Sequence, residues 1–151
     1  MIALTFRHIV RIAGHDVDGS KKVPYALAQV KGIGINLAHA IVRALGINPN
    51  TRIGFLPDAD IKRLEAAVKD PKSLSIPSWM FNRRKDLETG KDLHLIGSDL
   101  ILRVKADIDL MKKIKCWKGI RHALGLKVRG QKTRTTGRTG QTVGVTKKPK
   151  K

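Results

Sequence analysis

The sequence has a single cysteine, few aromatic residues and no long hydrophobic run. Cys116 alone cannot form an intrachain disulfide, which fits a reducing compartment. No apolar run approaches the roughly 18 residues that a membrane span needs. The first eight residues also lack the charged start and long apolar stretch of a signal peptide. We therefore expect a cytoplasmic protein with no membrane partner.

Residue patterns of common enzymes are missing as well. The five histidines are scattered, and one cysteine offers no Cys-x-x-Cys zinc pair. There is neither a G-x-x-x-x-G-K-S/T phosphate loop nor a G-x-S-x-G elbow. The acid pairs Asp16/Asp18 and Asp107/Asp109 have no supporting residues, so we expect the first in a turn and the second on a helix surface. We expect no enzymatic activity, no cofactor and no metal.

Acidic residues are absent from the whole C-terminal part of the chain. The protein has 31 Lys and Arg against 12 Asp and Glu, a net charge of +19. Residues 1–109 hold every acid and a net charge of +5, whereas residues 110–151 carry +14. A charge run is usually a solvated face, but such faces mix both signs. A polyanionic partner is therefore expected, with nucleic acid the first candidate and an anionic membrane surface the second.

Aromatic residues make up only 4% of the chain. OB-fold and RRM surfaces read single-stranded bases chiefly by stacking them on aromatic side chains. The composition therefore favours basic residues that contact phosphates as the main binding mode.

Local patterns predict a mostly α fold. Residues 6–12 suit a short strand, which Gly14 and the turn-prone residues 16–20 end. Pro24 can open a short helix that Gly32 stops, and apolar spacing predicts helices over residues 35–45 and 58–69. A longer helix is expected from Ser98 to about Trp117, and a short one over residues 119–125.

Residues 72–97 are interrupted by proline and glycine and are expected to form an ordered excursion. We expect Ile76, Trp79, Met80 and Phe81 to anchor it to the helical core, with Arg83, Arg84 and Lys85 facing out. The resulting division is a domain over residues 1–71, an ordered insertion over 72–97, a long helix with a short basic helix over 98–126, and an extended tail over 127–151.

A Gly-Ile-Gly turn, Gly32-Ile33-Gly34, joins two of the predicted helices. Such a turn lets a phosphate approach backbone N–H groups at the start of the second helix, as in helix-hairpin-helix modules. Lys31 stands beside it. The alternatives are that the two glycines only make a tight turn, or that the hairpin contacts protein.

The acid-free segment contains the main cluster of candidate RNA-binding residues. Arg can bind phosphates bidentately, Lys acts as a point charge, and Thr and Gln add neutral hydrogen bonds. Glycines would let the backbone follow a grooved RNA surface. The candidates are Lys112, Lys113, Lys115, Lys118, Arg121, His122, Arg129, Gly130, Gln131, Lys132, Thr133, Arg134 and Arg138.

Several motifs in a fixed order resemble one protein family. They are Arg11-Ile-Ala-Gly14, Val30-Lys-Gly-Ile-Gly34, Lys118-Gly-Ile-Arg-His122 and Val128-Arg-Gly-Gln-Lys-Thr133. From Phe6 to its end the chain resembles the universal small-subunit ribosomal protein S-thirteen family. The segments over residues 76–83 and 142–147 are similar to its archaeal and eukaryotic branch, in which the eukaryotic member is called S-eighteen. Met-Phe and Leu-Ile variations favour an archaeal origin.

The resemblance implies a helix-two-turns-helix N-terminal domain, a long helix and an extended tail. It implies a place in the head of the small subunit, on small-subunit rRNA and beside protein S-nineteen. It also implies an intersubunit bridge to large-subunit protein L-five, and contact between the tail and the P-site tRNA. By matching position, rRNA contacts fall on Lys118, Arg121, Arg129, Gln131, Lys132, Thr133 and Arg134, and the tRNA-facing end on Lys147, Lys148, Lys150 and Lys151.

One departure concerns the third helix, where relatives often have a serine and this chain has Pro57. A side-chain cap is lost there, but we expect the helix to form because proline suits a helix start. The alternatives to a ribosomal protein are a helix-hairpin-helix DNA-binding module and a basic membrane-surface protein. The first leaves the Gly-Ile-Arg-His and Arg-Gly-Gln segments unexplained, and the second needs a Lys-rich amphipathic helix.

Overall fold

The computed structural model describes residues 6–137. Two strands, β1 (Ile9–Ile12) and β2 (His15–Asp18), form an antiparallel hairpin in which Val10 pairs with Val17. Five helices follow: α1 (Val23–Leu27), α2 (Ile35–Ala44), α3 (Asp58–Lys69), α4 (Gly97–Lys113) and α5 (Trp117–Ala123). Short 3₁₀ turns span Ile53–Phe55, Pro71–Leu74 and Ser78–Met80. The prediction of a mostly α fold is confirmed.

The contacts divide the chain into two compact units, with the boundary between Arg103 and Val104 inside α4. The N-terminal unit contains one hydrophobic core, to which the hairpin, α1, α2 and α3 all contribute. Ile12, Leu27, Ile41 and Leu64 are fully buried in it. Burial of each such side chain contributes roughly 1.5–3 kcal/mol, so this unit has a packed interior of its own.

The second and third helices lie close to where the apolar spacing puts them. Helix α2 buries Leu37, Ala38, Ile41 and Val42, which recur at helical spacing. Helix α3 begins at Asp58 directly after Pro57, as predicted, although Pro57 offers no side-chain cap. Asp58 and Asp60 occupy its first turn, where negative charge interacts favourably with the helix dipole.

The predicted turn over residues 16–20 was wrong for its first three residues, which lie in β2. The chain reverses at Ala13 and at Gly14, the residue predicted to end the first strand, and their φ angles are +49° and +80°. Val17 is buried, and the burial of this apolar side chain favours a strand over an exposed turn. Asp18 stabilises a turn only after the strand, where its Oδ1 accepts hydrogen bonds from the backbone N–H and the hydroxyl of Ser20.

Two expectations for residues 72–97 were also wrong. Ile76 and Phe81 are buried and Met80 packs against the core, but the side chain of Trp79 is 68% exposed. Arg83 does not face out, because its Nε donates to Asp86 Oδ1 at 2.9 Å and its side chain is only 19% exposed. The segment is held by an ion-pair network as well as by apolar contacts.

Asp86 is the centre of that network and is 2% exposed. Its carboxylate accepts hydrogen bonds from Arg103 Nη2 at 2.8 and 2.9 Å. Thr89 adds bonds from its hydroxyl and its backbone N–H. Arg103 in turn donates to the exposed Glu88. The network ties the loop after residue 82 to the first turns of α4, within the N-terminal unit.

Candidate nucleic-acid interface

The C-terminal unit is organised around a tight turn between α4 and α5. The sequence predicts one helix to about Trp117, but α4 ends at Lys113 and α5 begins at Trp117. Lys115 adopts the left-handed conformation, with φ of +57°, which interrupts the helix. The thiol of Cys116 caps α5 by accepting from the N–H of Gly119, and it donates to the carbonyl of Met111.

Gly119 allows α5 to pack directly against the end of α4. A Cβ at this position would overlap the carbonyl group of Met111 and the backbone nitrogen of Lys112. Because those atoms belong to the main chain, a side chain here could be accommodated only by moving one helix. The backbones of the two helices are therefore in direct contact, and the side chains around this contact project from a folded surface.

Four lysines stand on this surface with their side chains exposed to solvent. Arg121 and His122 are half-buried beside them. The four lysines are Lys112, Lys113, Lys115 and Lys118. No acid follows Asp109 in the sequence, and Lys112 lies within 3.5 Å of that carboxylate. The turn between the helices therefore presents almost purely positive charge.

A cleft of about 550 Å³ opens at the same place, lined by Met111, Lys118, His122, Val128 and Arg129. Three of its five lining residues are basic types. A cleft of this composition fits an anion, because lysine and arginine both form charge-assisted hydrogen bonds to phosphate oxygens.

The chain after α5 turns back and is tied to that helix. Arg121 donates from Nε and Nη2 to the carbonyl of Lys127, at 3.0 and 2.8 Å. Further along, Gln131 Oε1 accepts from the N–H of Arg129 at 3.1 Å. Five further candidates between residues 129 and 134 are exposed: Arg129, Gly130, Lys132, Thr133 and Arg134.

Arg138, Lys147, Lys148, Lys150 and Lys151 lie outside the described residues. Their assignment to RNA stays a prediction from the sequence.

The Gly32–Gly34 turn belongs to the N-terminal unit, and its two glycines differ. Gly32 has φ of +107°, and a Cβ there would come within 2.5 Å of the carbonyl oxygen of Leu95. Its lack of a side chain is needed for the fold itself. Gly34 has ordinary φ of −87° and would meet nothing within 4 Å. The fold therefore does not require glycine at position 34, which leaves the phosphate interpretation open there.

Sequence reasoning missed Trp117 as a candidate. The residue is 71% exposed, and the guanidinium of Arg121 lies over the ring, 5.9 Å from its centroid. The sequence could have indicated this pair, because an aromatic residue and an arginine four positions apart share one face of a helix.

Among residues 6–137, no three His, Cys, Asp or Glu side chains converge as metal ligands. No helix in that part of the chain is both long and apolar enough to cross a membrane.

Comparison with known proteins agrees with the resemblance. The family model described as ribosomal protein S13/S18 matches residues 11–139. A protein of Staphylothermus marinus named small ribosomal subunit protein uS13 is 64% identical over 146 residues, covering 97% of each chain. The protein of that name from Hyperthermus butylicus is 64% identical over 142 residues, covering 94% of each. That from Saccharolobus solfataricus is 59% identical, covering 95% of this chain and 87% of its own. These relatives are archaeal.

Proposed function

The chain belongs to the ribosomal protein S13/S18 family, and from this premise we propose that it anchors small-subunit rRNA in the head of the subunit through its acid-free C-terminal unit. Membership makes the protein a structural, non-enzymatic constituent of the small ribosomal subunit that serves translation in the cytoplasm. The proposal adds which part of the chain binds and by what chemistry.

The observation that carries the proposal is the lysine-rich turn between α4 and α5. Lys113, Lys115 and Lys118 are exposed there, on the end of α4, on the connection and on α5, and the two helices are fixed against each other at Gly119. Because the backbone that carries these lysines is already ordered, binding costs less backbone entropy than it would for cations on an unfolded segment. The basic cleft beside them supports a phosphate contact that involves Lys118, His122 and Arg129.

The segment beyond α5 extends this surface along the RNA. Arg129, Gly130, Gln131, Lys132, Thr133 and Arg134 are proposed to contact rRNA, followed by Arg138. Their exposure up to position 134 supports this role. The remaining lysines, Lys147, Lys148, Lys150 and Lys151, are proposed to reach the P-site tRNA, since residues 127–151 could span about 80 Å at roughly 3.3 Å per extended residue.

Two protein partners follow from the family resemblance. We propose that the N-terminal domain meets large-subunit protein L-five in an intersubunit bridge, and that protein S-nineteen is a neighbour in the head. We also propose the four-part division at residues 71, 97 and 126, which rests on the pattern of the sequence. The hydrophobic core of the N-terminal unit, to which Ile76 and Phe81 also contribute, supports a folded surface for such contacts.

Replacement of Gly34 by alanine tests whether the Gly-Ile-Gly turn, with Lys31 beside it, also touches rRNA. Because a Cβ there meets nothing within 4 Å, the free energy of unfolding should change by less than about 1 kcal/mol. If a phosphate lies against the backbone at Gly34, affinity for a head-domain rRNA fragment should fall about tenfold, the effect of one lost hydrogen bond to a charged group. Filter binding and denaturant unfolding measure the two quantities.

Gly32→Ala is the structural counterpart, since its Cβ would collide with Leu95 and should destabilise the fold directly. A Gly34→Ala chain that binds rRNA as tightly as the native chain would reject the phosphate contact and leave a tight turn or a protein contact as the role of this segment.

The competing function is that of a helix-hairpin-helix DNA-binding module. To separate the two, the full chain is mixed with small-subunit particles assembled without it and with an excess of duplex DNA, then sedimented. The proposal expects the chain in the small-subunit fraction despite the competitor. Recovery with the DNA would contradict it.

A further inference from the structure

We propose that Trp117 is a stacking platform for one unpaired nucleobase of the bound RNA. This inference rests on the proposed rRNA-binding function and adds a contact to a base where the basic residues offer contacts to phosphates. Its starting point is the exposure of a large aromatic side chain in the middle of the cationic surface. At 71% exposed, Trp117 is more open to solvent than Ile120 or Leu110 nearby in the same unit.

The indole is held in place by its neighbour one turn along α5. The guanidinium carbon of Arg121 lies over the ring at 5.9 Å from its centroid, a distance at which cation–π attraction acts. Arg121 is itself fixed, because two of its N–H groups donate to the carbonyl of Lys127. The arginine therefore cannot swing away freely, and the ring has a defined support.

The position of Trp117 at the start of α5 limits its motion further. The helix begins there, directly after the Cys116 cap, and Gly119 fixes it against α4. A ring on a fixed backbone loses little entropy when a base stacks on it. Base–aromatic stacking tolerates any base, since every nucleobase has a π-face.

The charge around the ring selects RNA as its occupant rather than an apolar protein surface. Lys113, Lys115 and Lys118 are exposed within four residues of Trp117, and no acid follows Asp109 in the chain. A base stacked on the indole would bring its flanking phosphates toward these lysines. An uncharged protein partner would have to leave those cations without counter-charges, which is costly on desolvation.

The test uses the full chain and a head-domain rRNA fragment. Trp79→Phe leaves Trp117 as the only tryptophan, because the chain has two, and its fluorescence is followed during titration. We expect strong quenching on binding. Trp117→Ala should lower affinity about tenfold or more, whereas Trp117→Phe and Trp117→Tyr should keep most of it.

Two variants separate stacking from general apolar contact. Trp117→Leu keeps an apolar side chain without a ring, and it should lose affinity as the alanine variant does. Leu124→Ala removes another exposed apolar residue of this unit, 65% exposed, and should bind as the native chain does. Circular dichroism confirms that each variant is folded, which is expected because both positions are on the surface.

Each remaining outcome overturns the inference in a distinguishable way. Normal rRNA affinity with unquenched Trp117 and a neutral Trp117→Ala change would reject stacking and leave the proposed rRNA-binding function intact. Unchanged rRNA affinity with impaired incorporation of Trp117→Ala into subunits would assign the ring to a protein contact. Failure of the native chain to bind rRNA at all would reject the proposed function, and the stacking site with it.

Discussion

Removal of residues 129–151 is expected to weaken binding of the chain to head-domain rRNA by about a thousandfold near physiological salt. The deleted segment holds eight of the 14 Lys and Arg that follow residue 109. Each phosphate contact releases counterions and contributes about −0.7 to −0.9 to the slope of log affinity against log salt. Loss of all eight would therefore make the slope shallower by roughly six.

The cut is placed after Val128 so that α5 and the contact between Arg121 and Lys127 are kept. Lys127, whose carbonyl anchors Arg121, stays in the shortened chain, as do Gly119 and the lysines of the turn. A loss of affinity would then reflect the missing cations and not a damaged α5. The matched control is a full-length chain in which those eight cations are replaced by glutamine. It should show the same change in salt slope, and an unchanged slope in both would contradict the electrostatic account.

Replacement of Asp86 by asparagine is expected to have the largest effect on the stability of the N-terminal unit. The substitution keeps the shape of the side chain but removes the negative charge that faces Arg83 and Arg103. Both arginines are mostly buried, with side chains 19% and 24% exposed. Loss of one partner of a buried ion pair leaves charge without compensation and is strongly destabilising, so Tm should fall by more than about 10 °C.

Glu88→Gln is the matched control for that change. Glu88 also pairs with Arg103, at 2.8 Å, but its side chain is 73% exposed. Exposed ion pairs contribute little, so Tm should move by less than about 3 °C. Equal shifts for the two variants would show that burial of Asp86 does not decide the strength of the network. Thermal unfolding followed by circular dichroism measures both.

Lowering the pH should weaken the same ion-pair network around Asp86. Hydrogen bonds from Arg103, followed by those from Arg83 and Thr89, hold the pKa of Asp86 well below its ordinary value. The carboxylate therefore stabilises the folded state fully above the unfolded pKa of about 3.9. That contribution is lost as the pH falls below about 4 toward the lower pKa of the folded state. The stability of the Asp86→Asn chain should lack this part of the acid dependence.

The two helices with regular apolar spacing were predictable from local sequence. In α2 and α3 the apolar spacing and the terminal glycine or proline indicate the same helix, and in α3 the acids of the first turn do so as well. The break at residues 114–116 could not be predicted, because Lys115 lies in a run of residues that favours helix. Its left-handed conformation occurs where Gly119 packs against Met111, and such a contact leaves no periodic signal.

Long-range contacts explain the other differences. From the sequence, Arg83 is expected to be a surface cation. Its partner Asp86, however, also binds Arg103, which follows Asp86 by 17 positions. The large apolar side chain of Trp79 suggests a core residue, but Ile76 and Phe81 are buried in the core while Trp79 stays exposed. For the candidate interface, the cations were predictable from charge alone. The support that Arg121 gives to Trp117 depends on where the chain at Lys127 turns back.

Footprinting of assembled small subunits can show directly whether the acid-free segment contacts the head rRNA and the tRNA. Particles carrying the full chain or the chain that ends at Val128 are probed chemically on the head rRNA and on a P-site tRNA. The account predicts that rRNA protection by the turn between α4 and α5 persists in both particles. It also predicts that the protections due to residues 129–151, including those on the tRNA, disappear with the shortened chain. Identical footprints from the two particles would contradict the role assigned to the acid-free segment.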